Sequence, residues 1–541
     1  MGGSQSVCEF SDERSRYVKH SLKRAERGFG DGIDCVAAEG RPDVNINPAA
    51  EEYPFENVVF EGGGVKTMSY MGVIKALDDA NILMQLERFA GVSAGSFVAM
   101  LLALECSVEE MEKMIRRDPT FHYESPRCCM PCNILSQYGW QPFENEYNFY
   151  GKIIEEKLGD KDATFLDLFM KKKKELCVVI TNISNKEEEY MHVKTTPNVP
   201  IRDAVRMSNS YPGFFKPVIY KQNGVESYMA DGGIISNYPL HCYDGWWLSM
   251  EKEDTFFNKL QEFFDTPFVG KTDRFRLRDE DRNKTLGFVV FSDSDDDVLK
   301  SFFGHDPGYE AVKYPDTPEG KKAQKNQQLK NEEMCVKEAF RRLIQAMRKR
   351  NVNENEAIPI PTLSEILNDE KFTKVHRETL FGKGVLVEDI LKRFDTHNSG
   401  WTNEKFVKFL EGIGYDILHG KFLGKANDID GVLSFGSSVL GTMSRTIDRV
   451  YLKKGDLDRT VGINTKHIET FSMDIEEEDK DFIIQRGYDT TMDFLKKYAK
   501  ERKGYGIPSA SASDGRISLY PQEEDLRDIT YARVGELKKT V

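Results

Sequence analysis

Gly91-Val92-Ser93-Ala94-Gly95, reached through Phe89-Ala90 and continued by small and apolar residues as far as Cys106, decides how this chain is read. A G-x-S-x-G between a short apolar run and a helix is the pattern of a nucleophile elbow. The tight turn lifts the serine hydroxyl clear of a sheet, and the flanking Gly91 and Gly95 let the backbone cross without a Cβ clash. The helix that follows aims the positive end of its dipole at any negative charge that develops there. A plainer reading of the same five residues is a glycine-lined turn whose serine caps a helix. The pentapeptide alone does not separate the two, so its surroundings must.

Upstream, Val58-Val59-Phe60-Glu61-Gly62-Gly63-Gly64-Val65-Lys66 runs an apolar strand into three glycines and then into a helical pattern over Thr67–Asp79. Successive residues without side chains at such a turn present their N–H groups as a concave nest, suited to a phosphate or an oxyanion. A P-loop needs G-x-x-x-x-G-K-[ST], and here only Val65 separates Gly64 from Lys66. A dinucleotide loop needs glycine three residues beyond Gly64, where Thr67 stands. The oxyanion reading leads. Downstream, the strand pattern Val225–Ala230 ends in Asp231-Gly232-Gly233. An aspartate at a strand end backed by two glycines can reach into a site, although an Asp-Gly turn is also an ordinary connection.

The 541 residues allow two to four domains at roughly 150 residues each. With 39% apolar, 30% charged and 11% aromatic residues, the chain is globular rather than disordered or collagenous. Acids outnumber bases 89 to 75 for a net charge of −14, so no global basic face invites nucleic acid. Nine cysteines over this length make no disulfide framework. The N-terminal stretch has no apolar h-region, and Ala94–Cys106 falls short of the about 20 residues that span a bilayer. An intracellular, cytoplasmic protein without a transmembrane anchor is expected.

Five zones follow along the chain. Residues 1–54 read as a polar arm and 55–300 as alternating strands and helices. Strands are predicted at Asn57–Phe60, Val178–Ile183, Val225–Ala230 and Leu286–Phe291, and helices at Thr67–Asp79 and Ser93–Cys106. Residues 305–430 read as a mostly helical insertion, dense in Pro, Lys, Gln and Asn over Pro307–Asn331 and helical from Glu332 to Arg350. The α/β pattern resumes over 435–502, with strands at Arg459–Ile463 and Thr470–Met473 and a helix at Tyr488–Lys500. Residues 503–541 are a charged tail.

Glycine nest, serine elbow and strand-end aspartate, in that order, resemble the patatin-like phospholipase family. The matching residues are Gly62, Gly63, Gly64 and Lys66 for its glycine-rich segment, Ser93 for its nucleophile and Asp231 for its general base. Thr164-Phe165-Leu166-Asp167-Leu168, Ala204 through Pro212, and Asn237-Tyr238-Pro239 fit as well. Thr67 departs from the family, which often has glycine there; a position needing positive φ tolerates Thr badly, so position 67 is expected to be helical already. The resemblance implies a three-layer α/β fold with a central mixed, mostly parallel sheet. It implies a Ser–Asp dyad without histidine, an oxyanion hole at Gly62, Gly63 and Gly64, and structural roles for Lys66, Gly91, Gly95, Gly232 and Gly233. No cofactor or metal is called for. The implied function is hydrolysis of carboxylic esters in phospholipids or other glycerolipids at a membrane surface. Acyl transfer to an acceptor and a catalytically dead lipid-binding scaffold are the alternatives. A Ser–Asp–His triad would need a histidine downstream, and His241, His305, His376, His397, His419 and His467 are candidates without supporting motifs.

Weaker signals remain. Met1-Gly2-Gly3-Ser4-Gln5-Ser6 fits an N-myristoylation acceptor at Gly2, with Cys8 open to palmitoylation and six basic residues between Arg14 and Arg27. Asp395–Gly400 resembles half an EF-hand loop, but Phe406 stands where the bidentate glutamate belongs. Cys128, Cys129 and Cys132 with His122 have poor zinc spacing, because adjacent cysteines rarely share an ion. Lys171–Lys174 reads as a solvated helix end.

Overall fold

The structure is a computed structural model that describes residues 53–222, 225–259, 274–278, 283–293, 313–350, 352, 357–394, 402–412, 415–416, 421–422, 438–439, 442 and 454–504. It divides into two compact units, residues 314–431 and the remainder.

The larger unit is built on a mixed eight-stranded sheet. Strand β1 (Asn57–Phe60) lies between β2 (Arg88–Val92) and β9 (Thr285–Ser292), and β9 pairs with β12 (Thr460–Lys466), all parallel. β2 continues the parallel run onto β4 (Glu175–Asn182). The order then turns antiparallel through β5 (Glu187–Met191), β7 (Val218–Gln222) and β8 (Val225–Asp231). Two short strands, β3 (Gly139–Gln141) and β6 (Gly213–Phe215), pair separately. Parallel strands buried on both faces read as near-continuous apolar runs, as Val58–Phe60 in β1 and Phe288–Phe291 in β9 do.

Strand alternation splits these side chains between two cores. Val58, Phe60, Leu176, Val178, Ile180, Phe288 and Val290 join one core, which helices cover. Those helices are α1 (Tyr70–Asp79), α2 (Ala94–Ala103), α3 (Val108–Ile115), α5 (Glu144–Leu158), α6 (Phe165–Lys172), α7 (Ile201–Ser208) and α13 (Glu477–Gly504). Val59, Ala90, Val92, Cys177, Val179 and Val289 face the other way, against Tyr238, Leu240, Cys242 and Tyr243. Among the described residues that second layer is made of 3₁₀ turns and loops, not α-helices. α4 (Met130–Gln137) lies outside both cores, without one buried residue.

Local sequence explains the helix starts. Thr164 and Asp167 form a reciprocal capping box at α6, which is what the Thr164–Leu168 motif does. Ser107 and Glu110 do the same for α3. α2 is apolar all round and is correspondingly buried.

Several expectations are corrected. Tyr53 is buried and its hydroxyl donates to the Leu495 carbonyl at 3.3 Å, so the core begins before residue 55. Thr470–Met473 is a turn rather than a strand, because the Thr470 carbonyl accepts the Val65 N–H at 3.0 Å instead of joining a ladder. The final helix starts at Glu477, well before Tyr488.

Within residues 314–431, α8 (Pro318–Lys349) starts earlier than Glu332. Pro318 opens the helix at a position whose N–H has no partner, Thr317 caps it, and the Lys and Gln residues are good helix formers. α9 (Ile360–Leu367), α10 (Lys374–Phe381), α11 (Val387–Phe394) and α12 (Asn403–Gly412) follow. Ala339, Leu343, Leu363, Ile366, Phe372 and Ile390 form this unit's own core. The short β10 (Tyr415–Asp416) and β11 (Lys421–Phe422) pair with each other.

Candidate functional site

The geometry follows from how β2 and β8 share an edge of β4. Along one edge β5 pairs with Val178–Asn182 throughout. The opposite edge is therefore occupied first by β2, as far as Val92 against Val179, and then by β8, beginning with Asp231 against Ile180. β2 runs with β4 and β8 runs against it, so their C-terminal ends meet. Ser93 and Asp231 are the residues at that junction, and the Ser93 Oγ donates to Asp231 Oδ2 at 2.6 Å.

Ser93 sits at φ +51° and ψ −133°, a region that residues with side chains rarely adopt. Strain of this kind costs about 1–3 kcal/mol and persists only where the surroundings enforce it. Here they do. The Ser93 N–H donates to Ser208 Oγ at 2.8 Å, and that hydroxyl donates onward to the Val179 carbonyl at 2.7 Å. The Ser93 carbonyl accepts from Ser96 Oγ at 2.6 Å, and Asn209 donates to the same hydroxyl at 3.2 Å. The Ala204–Pro212 motif thus acts as a brace beneath the elbow, which composition and spacing did not disclose. The two motif glycines answer to space. A Cβ on Gly91 would lie 2.3 Å from the Gly95 carbonyl oxygen, and one on Gly95 would lie 2.5 Å from that of Glu61.

Asp231 is 2% exposed, and among the described residues no cation is a hydrogen-bond or ion-pair partner of it. Burial pushes its carboxyl up to about 7, against the lowering effect of hydrogen bonds from Ser93 Oγ and the Gly233 N–H. Gly232 is tightly packed, since a Cβ there would meet the Val179 carbonyl oxygen at 2.3 Å.

The glycine segment is more specialised than its sequence suggests. The Gly62 N–H already donates to the Asn237 carbonyl at 3.2 Å, so the expected oxyanion role narrows to Gly63 and Gly64, whose amides have no hydrogen-bond partner among the described residues. Gly62 is needed for closeness instead: a Cβ would stand 2.9 Å from that of Ser93. Gly64 takes φ +54°, which supplies the left-handed step of the turn. Thr67 is accordingly inside a 3₁₀ helix over Gly64–Ser69 and donates its hydroxyl to the Gly64 carbonyl at 2.7 Å. Asn237, from the third motif, also donates its side-chain amide to the Gly62 carbonyl at 3.0 Å and Glu61 Oε1 at 3.1 Å. Lys66 is buried and reaches the Val290 carbonyl at 3.4 Å, a packing role beside the loop.

Among the described residues no histidine is bonded to Ser93 or Asp231. His241 meets the Tyr190 hydroxyl at 2.8 Å, and His467 meets Asp479 at 2.8 Å. His376 belongs to a helix cap in the other unit. His305, His397, His419, the Asp395–Gly400 loop, Gly2 and Cys8 lie outside the described residues. His122 pairs with Glu146. Lys171 and Lys174 donate to the Leu158 and Leu86 carbonyls, before the N-terminal end of β4 and away from Ser93. Among the described residues no helix is long and apolar enough to cross a membrane.

A strained serine elbow, a glycine nest and a strand-end aspartate gathered at one end of a mostly parallel sheet define the class of α/β fold that the motifs pointed to. The family model of patatin-like phospholipases matches residues 58–242 of this chain. Uncharacterized protein R571 of Acanthamoeba polyphaga mimivirus is 27% identical over 202 residues, covering 36% of this chain and 63% of the relative. Probable lipid hydrolase 463L of Invertebrate iridescent virus 6 is 23% identical over 187 residues, covering 34% and 62%. The chain thus spans less than two thirds of the length of either. The solved structure of VipD from Legionella pneumophila is similar at 17% identity with a TM-score of 0.37, covering 82% of this chain and 67% of that one.

Proposed function

We propose that the protein is a lipid acyl hydrolase, cleaving carboxylic esters of phospholipids or related glycerolipids through Ser93 and Asp231. The observation that carries this is the 2.6 Å hydrogen bond from the Ser93 hydroxyl to a buried carboxylate, at a strained elbow beside two unpartnered glycine amides. Asp231 takes the hydroxyl proton as Ser93 Oγ attacks the ester carbonyl. The oxyanion of the tetrahedral intermediate is received by the Gly63 and Gly64 amides, a contribution of about 3–4 kcal/mol per well-placed donor. As the intermediate collapses, the C–O bond to the alcohol breaks and Asp231 returns the proton to the leaving oxygen. Asp231 then takes a proton from water, which attacks the acyl-serine; collapse releases the fatty acid and restores the Ser93 hydroxyl. Every proton transfer is carried by one carboxylate, and its elevated pKa suits that task near neutral pH. The family-model match and the name of the iridovirus relative favour a lipid ester as substrate, and we place the enzyme at the surface of the membranes that hold such lipids.

A lipid panel assayed with wild type and Ser93→Ala tests this. Ester hydrolysis is expected to fall by at least about 10³-fold in a protein that still folds, and labelling by a fluorophosphonate is expected to disappear. Residual turnover above roughly a tenth of wild type would overturn the assignment.

A further inference from the structure

We propose that Cys128, Cys129 and Cys132 are acceptors for S-acylation, and that the acyl chain, with the exposed Leu135 and Tyr138 beside it, holds the Ser93 end of the sheet on a bilayer.

The segment from Glu124 to Gln141 is a built excursion. Buried Gln141 clamps its stem, accepting the N–H groups of Glu124 at 2.8 Å and Ser125 at 2.7 Å and donating to the Ser125 carbonyl at 3.2 Å. Trp140 Nε1 donates to the Pro126 carbonyl at 3.3 Å, and Asn133 donates to the Trp140 carbonyl at 3.0 Å. Between these ties α4 rides outside the core. All three thiols are free and exposed. Leu135 is 83% and Tyr138 60% exposed. Cys132 lies on α4 and Cys128 and Cys129 in the turn that leads into it, and cysteines on an amphipathic or juxtamembrane helix are acceptors of reversible acylation.

The patch also lies at the end of the sheet where catalysis is placed. The Tyr138 ring packs edge-on against Tyr228, 5.9 Å between centroids, and Tyr228 precedes Asp231 on β8 by three residues, about 10 Å of strand. Exposed Ile219 faces Tyr228 across the ladder. Nearby charge does not favour an anionic leaflet. Lys221 and Glu226 pair with each other, and β5 opens with Glu187, Glu188 and Glu189. Docking is therefore apolar and salt-insensitive. A redox role fits less well, because the Cys128 thiol, 3.9 Å away, raises the pKa of Cys129, whereas redox sensors use thiols of low pKa.

The acyl donor is a long-chain acyl-coenzyme A, presented by a protein acyltransferase. Cysteine Sγ attacks the donor's thioester carbonyl, the donor C–S bond breaks as the new one forms, and the thiol proton leaves with the coenzyme thiol. No electrons are exchanged. Attachment itself does not depend on the lipid-hydrolase reading; its purpose does.

The test uses the full chain expressed in eukaryotic cells. Mass spectrometry after hydroxylamine-dependent exchange is expected to find a thioester on the Cys128–Cys132 peptide in wild type, in Ser93→Ala, and in the Gly2→Ala, Cys8→Ser double variant. Changing all three cysteines to serine is expected to remove it and lower the membrane-bound fraction roughly tenfold or more, with turnover on a soluble monomeric ester unchanged. For purified unacylated protein, Leu135→Asp is expected to weaken binding to phosphatidylcholine vesicles equally at low and high salt. Recovery of these thiols unmodified or as a disulfide, a triple variant that fractionates like wild type, or vesicle binding indifferent to Leu135→Asp would each overturn the proposal. Because Ser93→Ala is acylated as wild type is, failure here is distinct from failure of the catalytic assignment.

Discussion

Asp231 and Asp244 are both buried, at 2% and 3% exposure, yet they are treated in opposite ways. Asp244 is gripped by Arg459 through two bonds of 2.5 and 2.6 Å, and the same guanidinium reaches Asp456 at 2.7 Å. Burial alone would lower the Arg459 pKa, but the bonds and charges of the two carboxylates outweigh it and hold the group charged. Among the described residues Asp231 has a hydroxyl and one backbone amide and no cation. A carboxylate buried with its counter-charge fastens loops to a sheet. One buried without it is held near its protonation midpoint, at some expense to the fold. Within a single unit, the difference sets a structural aspartate apart from the one we propose as the base.

That contrast can be broken in three ways. Asp231→Asn is expected to lower turnover about 10³-fold or more, since no base remains for Ser93. It is also expected to stabilise the protein. In wild type, folding raises the Asp231 pKa from about 4 to about 7, so between those values the native state holds a proton that the unfolded chain has lost, and stability falls as pH rises. Asparagine removes that loss. Denaturant midpoints should show a gain on the order of a few kcal/mol at pH 8 that vanishes toward pH 4. A variant that loses activity and stability together would place Asp231 with Asp244.

Asp244→Asn should do the converse. Leaving Arg459 short of a partner is expected to cost about 3–5 kcal/mol, read from the unfolding transition, while kcat per fluorophosphonate-titrated site stays within about twofold of wild type. The mildest effect is on pH dependence. With an uncharged ester, kcat/KM is expected to rise about tenfold per pH unit below 7 and level off above it, as the base form fills. A flat profile from acid to neutral pH would remove Asp231 as the base.

The sequence disclosed those parts of the molecule whose chemistry is local. Asn57–Phe60 is a strand because four successive apolar or small polar residues are buried on both faces, and the elbow was readable because only Gly91 and Gly95 leave room for it. What it hid depends on distant partners. Nothing near Gly62 announces that Asn237 takes its N–H, and nothing near Ser208 announces that its hydroxyl bridges Ser93 to Val179. Thr470 and its neighbours look like strand residues, but their role is to close a loop at the other end of the chain. Likewise, the long helix is read only from Glu332 onward because the Lys and Gln density after Pro318, helix formers without an apolar stripe, leaves no period to read.

The bond from the Val65 amide to the Thr470 carbonyl also sets an order in time. About 400 residues separate the two, and a ribosome adding roughly 5–20 residues per second needs about 20–80 s to cover them. Throughout that interval the glycine loop has been made but lacks the carbonyl against which Gly64 is packed. β12, which borders β9, is also still missing. A nascent chain of this protein can therefore carry its serine and its aspartate long before the glycine loop beside them is complete.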